Sequence, residues 1–150
     1  MEFIMTFSLF KYFDAILDGV EQDGLAALEQ PEVKKALAEL DSFLPPLSNV
    51  AKLVFSYYYV YQLKPQPLFI SQLEKDLNVP TLYLKHEEAW QELVDLDLLV
   101  RVMGSEYLMP RSVIDAVAVI DLEYYWPNDR VIIAPEHKKE VFWRWIHDPQ

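Results

Sequence analysis

Ten prolines against three glycines decide how this chain can be divided. Proline lacks a backbone donor and is barred from helix interiors, so each one marks the edge of an element. Pro31, the pair Pro45–Pro46, Pro65, Pro67 and Pro80 cut the chain into helix-length segments, and no Gly/Ser linker separates them. Pro31 suits the first turn of a helix over "EVKKALAELDSFL" that stops at Pro45. Between the proline pairs lies the longest apolar stretch, "NVAKLVFSYYYVYQL". It contains Lys52 and is short for a membrane span. A helix is predicted there, with Leu47, Ala51, Val54, Tyr58 and Tyr61 on one face, although the Tyr/Val run also has strand propensity.

Upstream, Phe7, Phe10, Phe13, Ile16 and Leu17 recur at helical spacing and predict a helix over 7–20. Gly19 and Gly24 are expected to break it before "LAALEQ" continues. Half of the 150 residues are apolar, enough to bury a core without metal or disulfide staples. The absence of cysteine excludes thiol catalysis, cysteine-ligated zinc and iron–sulfur clusters. The start "MEFIMTFSLF" has no basic region before its apolar run and no small-residue cleavage site, so a soluble cytoplasmic protein is expected.

Net charge is −11, and no third of the chain is basic: residues 1–50 carry −6, 51–100 carry −3 and 101–150 carry −2. The electrostatic footprint of a nucleic-acid binder is missing.

The informative stretch runs from Leu68 to Met109. In "LFISQLEKDLN", Ser71 followed by Glu74 has the spacing of a capping box, and Ile70, Leu73 and Leu77 form the apolar face. After Val79–Pro80 comes "TLYLKHEEAWQEL", with Leu82, His86, Ala89, Trp90, Leu93 and Leu96 on one side of a longer helix. Glu88, Gln91, Glu92 and Asp95 form an acidic stripe on the other. "LLVRVMGSEYLM" then alternates about Gly104–Ser105, a pair suited to a two-residue hairpin turn. That register predicts Val100, Val102, Tyr107 and Met109 inward, with Arg101, Met103, Glu106 and Leu108 outward.

The order short helix, turn, longer helix and hairpin resembles the winged-helix form of the helix-turn-helix superfamily. The resemblance spans roughly 47–110 and rests on "ISQLEKDLNVP", "AWQELVDLDLLVRV" and "GSEYLM". Asp97 stands where that family usually has glycine, and aspartate tolerates the left-handed backbone better than most residues. The implied fold class is mainly α. An acidic helical extension (1–46) precedes a winged-helix core of three helices plus a β-hairpin wing (47–110), and a C-terminal helix–strand–helix cap (111–150) closes it. In the cap, "RSVIDAVAVIDLEYYW" predicts a buried or partner-facing helix, with a buried strand as the alternative, and "RVIIAP" a strand. "EHKKEVFWRWIHD" predicts a helix with Val141, Phe142, Trp145 and Ile146 inward and Trp143 outward.

Catalytic signatures are missing. His86, His137 and His147 lie in unrelated segments, "EHKKE" lacks a second histidine at i+4, and neither a Gly-rich phosphate loop nor a Gly-x-Ser-x-Gly elbow occurs. No enzymatic activity, cofactor or metal is expected. The family resemblance implies DNA reading through Thr81, Tyr83, Lys85, Arg101, Gly104 and Ser105, with a homodimer joining two modest patches. The charge of the longer helix opposes this, because phosphate contacts need several cations. Protein docking fits the acidic stripe better, with a basic partner meeting Glu88, Gln91, Glu92 and Asp95 and with Trp126 and Trp143 as aromatic anchors. Regulation of transcription machinery or another DNA-linked assembly is the setting the resemblance implies, and a DNA-mimic inhibitor is a third reading.

Overall fold

The computed structural model describes residues 9–61, 67–122 and 137–147. Trp126, the strand expected over 130–135 and the end of the helix expected through Trp126 lie outside the described residues. What is described is mainly helical, with a small three-stranded antiparallel sheet.

Three elements build the N-terminal part: α1 (Phe10–Asp23), a 3-10 segment (Gly24–Glu29) and α2 (Pro31–Leu40). Pro31 occupies the first turn of α2 as expected, but α2 ends at Leu40 rather than running to Pro45. Phe43 and Leu44, in the turn that follows, are still fully buried. Gly19 does not break α1. It lies inside the helix, where a Cβ would meet Val33 Cγ2 at 2.8 Å, so its missing side chain is what lets α1 and α2 approach. Gly24, with φ +72°, is the true stop. Phe10 is 44% exposed, and Phe13, Ile16, Leu17 and Val20 form the buried stripe of α1.

Helix α3 (Asn49–Tyr61) packs against both α1 and α5. Every residue from Ala51 to Tyr58 is buried, Lys52 and Ser56 included, so this helix has no single apolar face. The two polar members are satisfied locally. Lys52 Nζ meets Asp41 Oδ1 at 2.7 Å, and the Ser56 hydroxyl donates to the Lys52 carbonyl at 2.8 Å. Tyr61 is the correction to the expected face: it ends the helix largely in solvent.

A strand absent from the sequence expectation, β1 (Leu68–Phe69), comes next, leading into α4 (Ile70–Asp76) and α5 (Leu82–Asp95). Ile70, Leu73 and Leu77 are buried as their spacing implied. The capping box is not formed. Phe69 is the N-cap of α4, no side chain caps it, and Ser71 sits inside the helix. Glu74 reaches forward instead, its Oε2 accepting the Tyr83 N–H at 2.8 Å near the start of α5. The connecting turn needs two positive φ values, 56° at Asn78 and 63° at Thr81. Leu82, Ala89, Trp90 and Leu93 form the buried face of α5, while His86 departs from helical geometry and kinks it.

The end of α5 follows the sequence closely. Asp97 adopts φ 63°, its N–H donates to the Val94 carbonyl at 3.0 Å, and the Leu98 N–H donates to Leu93 at 2.8 Å. This paired closure is the motif in which glycine is usual. Strands β2 (Val100–Met103) and β3 (Glu106–Leu108) follow, in sheet order β1-β3-β2. Two last helices, α6 (Arg111–Leu122) and α7 (Lys138–His147), pack on each other. Val113, Ala116, Val117, Ile120, Phe142 and Ile146 join one hydrophobic core with α1 to α5. Among the described residues, no helix is long and apolar enough to cross a membrane.

The register of the hairpin differs from expectation, and the cause is local. Gly104 takes the positive φ, +51°, and Met103 pairs with Glu106 across the two-residue turn. The strands then shift by one residue between Arg101 and Met103, so Arg101 pairs with Tyr107 and Val100 with Leu108. Because side chains alternate with period two, this bulge sends Arg101 to the face of Tyr107 and Val100 to the opposite face. Tyr107 and Met109 are buried as expected, whereas Val100 and Val102 are 46% and 45% exposed.

Candidate functional site

The elements that hold the expected DNA-reading residues converge. The starts of α4 and α5 and the tip of the β2–β3 hairpin border an open hollow of about 410 Å³. Thr81, Tyr83, Arg101, Gly104 and Ser105 all line it, together with Ser71 and Glu74, whose spacing suggested only a capping box, and Leu84, which no expected site included. Lys85 is exposed one turn into α5 but is not part of the lining.

Backbone hydrogen bonds hold the hollow in shape. The Ser105 carbonyl accepts the Ile70 N–H at 3.0 Å, tying the hairpin tip to the start of α4. Arg101 Nε donates to the Gly104 carbonyl at 2.8 Å, and its guanidinium lies 6.0 Å from the Tyr107 ring centre. Behind the lining, the Tyr83 and Tyr107 hydroxyls face each other at 3.4 Å, and Tyr83 meets Trp90 edge-on at 5.0 Å.

Burial raises the pKa of Tyr107 to about 12, its bond to Tyr83 adds to the rise, and Arg101 opposes it. Burial also drives Tyr57 and Tyr58 upward, with Asp76 adding to the rise at Tyr57. All three favour the protonated phenol in the folded state, so their contribution to stability is complete below the ordinary tyrosine value. It is lost as pH climbs above about 10, through about 12 for Tyr107 and beyond that for the more strongly raised Tyr57 and Tyr58, because unfolded chains ionise first. An absorbance titration at tyrosinate wavelengths is therefore expected to show these groups ionising together with unfolding. Independent ionisation in a still-folded chain would contradict the burial argument.

The expected docking stripe divides. Glu88 is exposed, 3.8 Å from His86 Nδ1. Gln91 donates to Asp95 Oδ1 at 2.7 Å along the exposed side of α5. Glu92 is only partly exposed: its carboxylate accepts the Ser48 N–H at 2.9 Å and the Ser48 hydroxyl at 2.7 Å. Ser48 Oγ in turn accepts the Ala51 N–H at 3.2 Å. Glu92 therefore secures the first turn of α3 and is not simply part of a solvent stripe. Trp143 is exposed, 3.9 Å from the His147 ring centre, far along the chain from the hollow and on a different groove with Phe43, Pro45 and Pro46.

The outer face of the sheet is apolar rather than charged. Phe69, Met103 and Glu106 share a side through their pairing, as do Val100 and Leu108. Phe69, Val100, Val102 and Met103 are all substantially exposed, and Leu84 on α5 is 78% exposed beside the hollow. Leu84 was legible in principle, since it is an apolar residue off the buried face of its helix. The apolar hairpin was hidden by the bulge.

No protein-family model, curated protein or solved structure matches this chain. The site is accordingly read from its own chemistry. Among the described residues, no three His, Cys, Asp or Glu side chains are grouped to hold a metal ion.

Proposed function

We propose that the chain is a non-enzymatic winged-helix protein that docks on other proteins through the outer face of its hairpin sheet and the exposed side of α5. The order α3, β1, α4, α5, β2, β3 and the sheet order β1-β3-β2 support the winged-helix reading, with Gly104–Ser105 as the wing tip. The observation that carries the docking reading is the composition of that surface. Its sheet presents Phe69, Val100, Val102 and Met103, and α5 presents Leu84, Glu87, Glu88 and Asp95 against one lysine, Lys85. Exposed apolar groups clustered beside charges mark protein interfaces, whereas duplex phosphate calls for clustered cations. A partner with an apolar centre and a basic rim fits, and regulation of a DNA-linked assembly is the setting that goes with the fold resemblance.

One observation favours direct DNA binding as a second reading: Thr81, Tyr83, Arg101, Gly104 and Ser105 do line one hollow. A titration of fluorescent duplex DNA at low salt separates the two. Docking predicts no saturable binding, and it predicts that a partner co-purifying with the tagged chain is lost from Met103→Glu and from Leu84→Glu. Micromolar DNA binding that weakens steeply with salt, reduced by Arg101→Ala, overturns it.

A further inference from the structure

A second exposed face lies where α1 passes the end of α3. Tyr61 is 45% exposed, and one side of its ring is stacked on Tyr57, with centres 4.4 Å apart and planes at 18°. Tyr57 is itself fixed, buried in the core with its hydroxyl donating to Asp76 Oδ2 at 2.7 Å. Tyr61 is thus held as a platform whose outer side meets solvent.

Carboxylates on α1 and at the end of α4 are near enough to act on that platform. Asp14, Asp18 and Glu21, spaced four and three residues apart, are exposed on one side of α1, and Asp76 closes α4. Partial burial raises the pKa of Tyr61, and the charges of Asp76, Glu21, Asp18 and Asp14 add to the rise, so all four act on its hydroxyl. Asp14 is also raised, by its own partial burial and by Asp18, which is the mark of like charges held close together. Phe10, one turn before Asp14 on the same side, extends the aromatic surface.

We propose that this face docks an arginine-bearing segment of a partner protein, with a guanidinium over the outer side of Tyr61 and its N–H groups directed to Asp18 and Glu21. A flat, delocalised cation stacks on an aromatic ring while its donors reach carboxylates in the ring plane, a combination a lysine ammonium cannot match. Nucleic acid is repelled by the same carboxylates, and a second copy of a chain of net charge −11 is repelled overall. The face is separate from the hairpin and α5 surface, so the two proposals stand or fall apart.

The test is fluorescence polarisation with a labelled glycine–arginine peptide and its glycine–lysine counterpart, titrated with the full chain at low salt. The arginine peptide is expected to bind tighter by about two- to fivefold, the size of an exposed cation–π contribution. Tyr61→Leu removes that preference and Tyr61→Phe keeps it. Asp18→Asn with Glu21→Gln weakens both peptides. Glu87→Gln with Glu88→Gln removes the same charge from α5 and leaves both affinities within about twofold, as screening of distant charges requires. Absence of binding, equal affinity for the two peptides, or equal weakening by the two charge-neutralised pairs overturns the proposal.

Discussion

Trp90→Ala is expected to lower the free energy of unfolding by about 3–5 kcal/mol, the range for truncating a buried aromatic. Trp90 is fully buried on the inner face of α5, packed edge-on against Tyr83 and beside Tyr58 of α3. Its removal opens a cavity at the seam between α3 and α5. The site cannot collapse easily, because α5 is tied at both ends, by Glu74 at its start and by the Asp97 closure at its finish. Urea denaturation followed by circular dichroism measures this as a lower midpoint. Trp90→Phe is the informative companion. The Trp90 indole N–H and the neighbouring Tyr58 hydroxyl lie near each other but form no hydrogen bond of good geometry, so both are buried polar groups with incomplete compensation. An unsatisfied buried donor costs about 1–3 kcal/mol, and removing it with phenylalanine offsets much of the lost volume. Trp90→Phe is therefore expected to cost far less than Trp90→Ala. Equal losses for the two would show that the orphan N–H carries no penalty.

Glu92→Lys is the second large expectation, a loss of about 2–3 kcal/mol from a cap and a helix-terminal charge together. The wild-type carboxylate takes two hydrogen bonds from Ser48, which itself holds the first turn of α3. Lysine there removes the acceptor of both donors, leaving them to water, and places positive charge beside the positive end of the helix dipole. Glu88→Lys, on the exposed side of the same helix, is expected to change stability by no more than about 0.5 kcal/mol, as for an ordinary surface site. Thermal denaturation of the two single variants decides the matter. Similar melting temperatures would mean that the Ser48 contacts are not maintained in solution. The contrast also governs how the α5 surface is probed: Glu88 reports on docking, whereas Glu92 reports first on folding.

The distribution of helices was readable because their signals are local. Pro31 at a first turn, Asp97 at a left-handed closure and the Leu82–Leu93 spacing each act within one or two turns, and each appears where its chemistry requires. The misreadings share one cause, competition between a local signal and a distant partner. Ser71 and Glu74 have capping-box spacing, but Glu74 finds the unpaired Tyr83 N–H and the hairpin carbonyl of Ser105 takes the first N–H of α4. Glu92 reads as one carboxylate of a solvent stripe until α3 places Ser48 against it.

The residues by themselves determined a mainly helical chain without cysteine chemistry, acidic throughout, with a hairpin turning at Gly104–Ser105. Tertiary structure alone decided the exposed faces of the sheet and of Tyr61. A one-residue bulge at Val102 reverses the faces of Arg101 and Val100, and β1 exists only because β3 offers it an edge. Tyr61 becomes a platform because Tyr57 beneath it is anchored to Asp76 in another helix. Side-chain periodicity specifies a face only when register is known, and register here is set by partners far away in sequence.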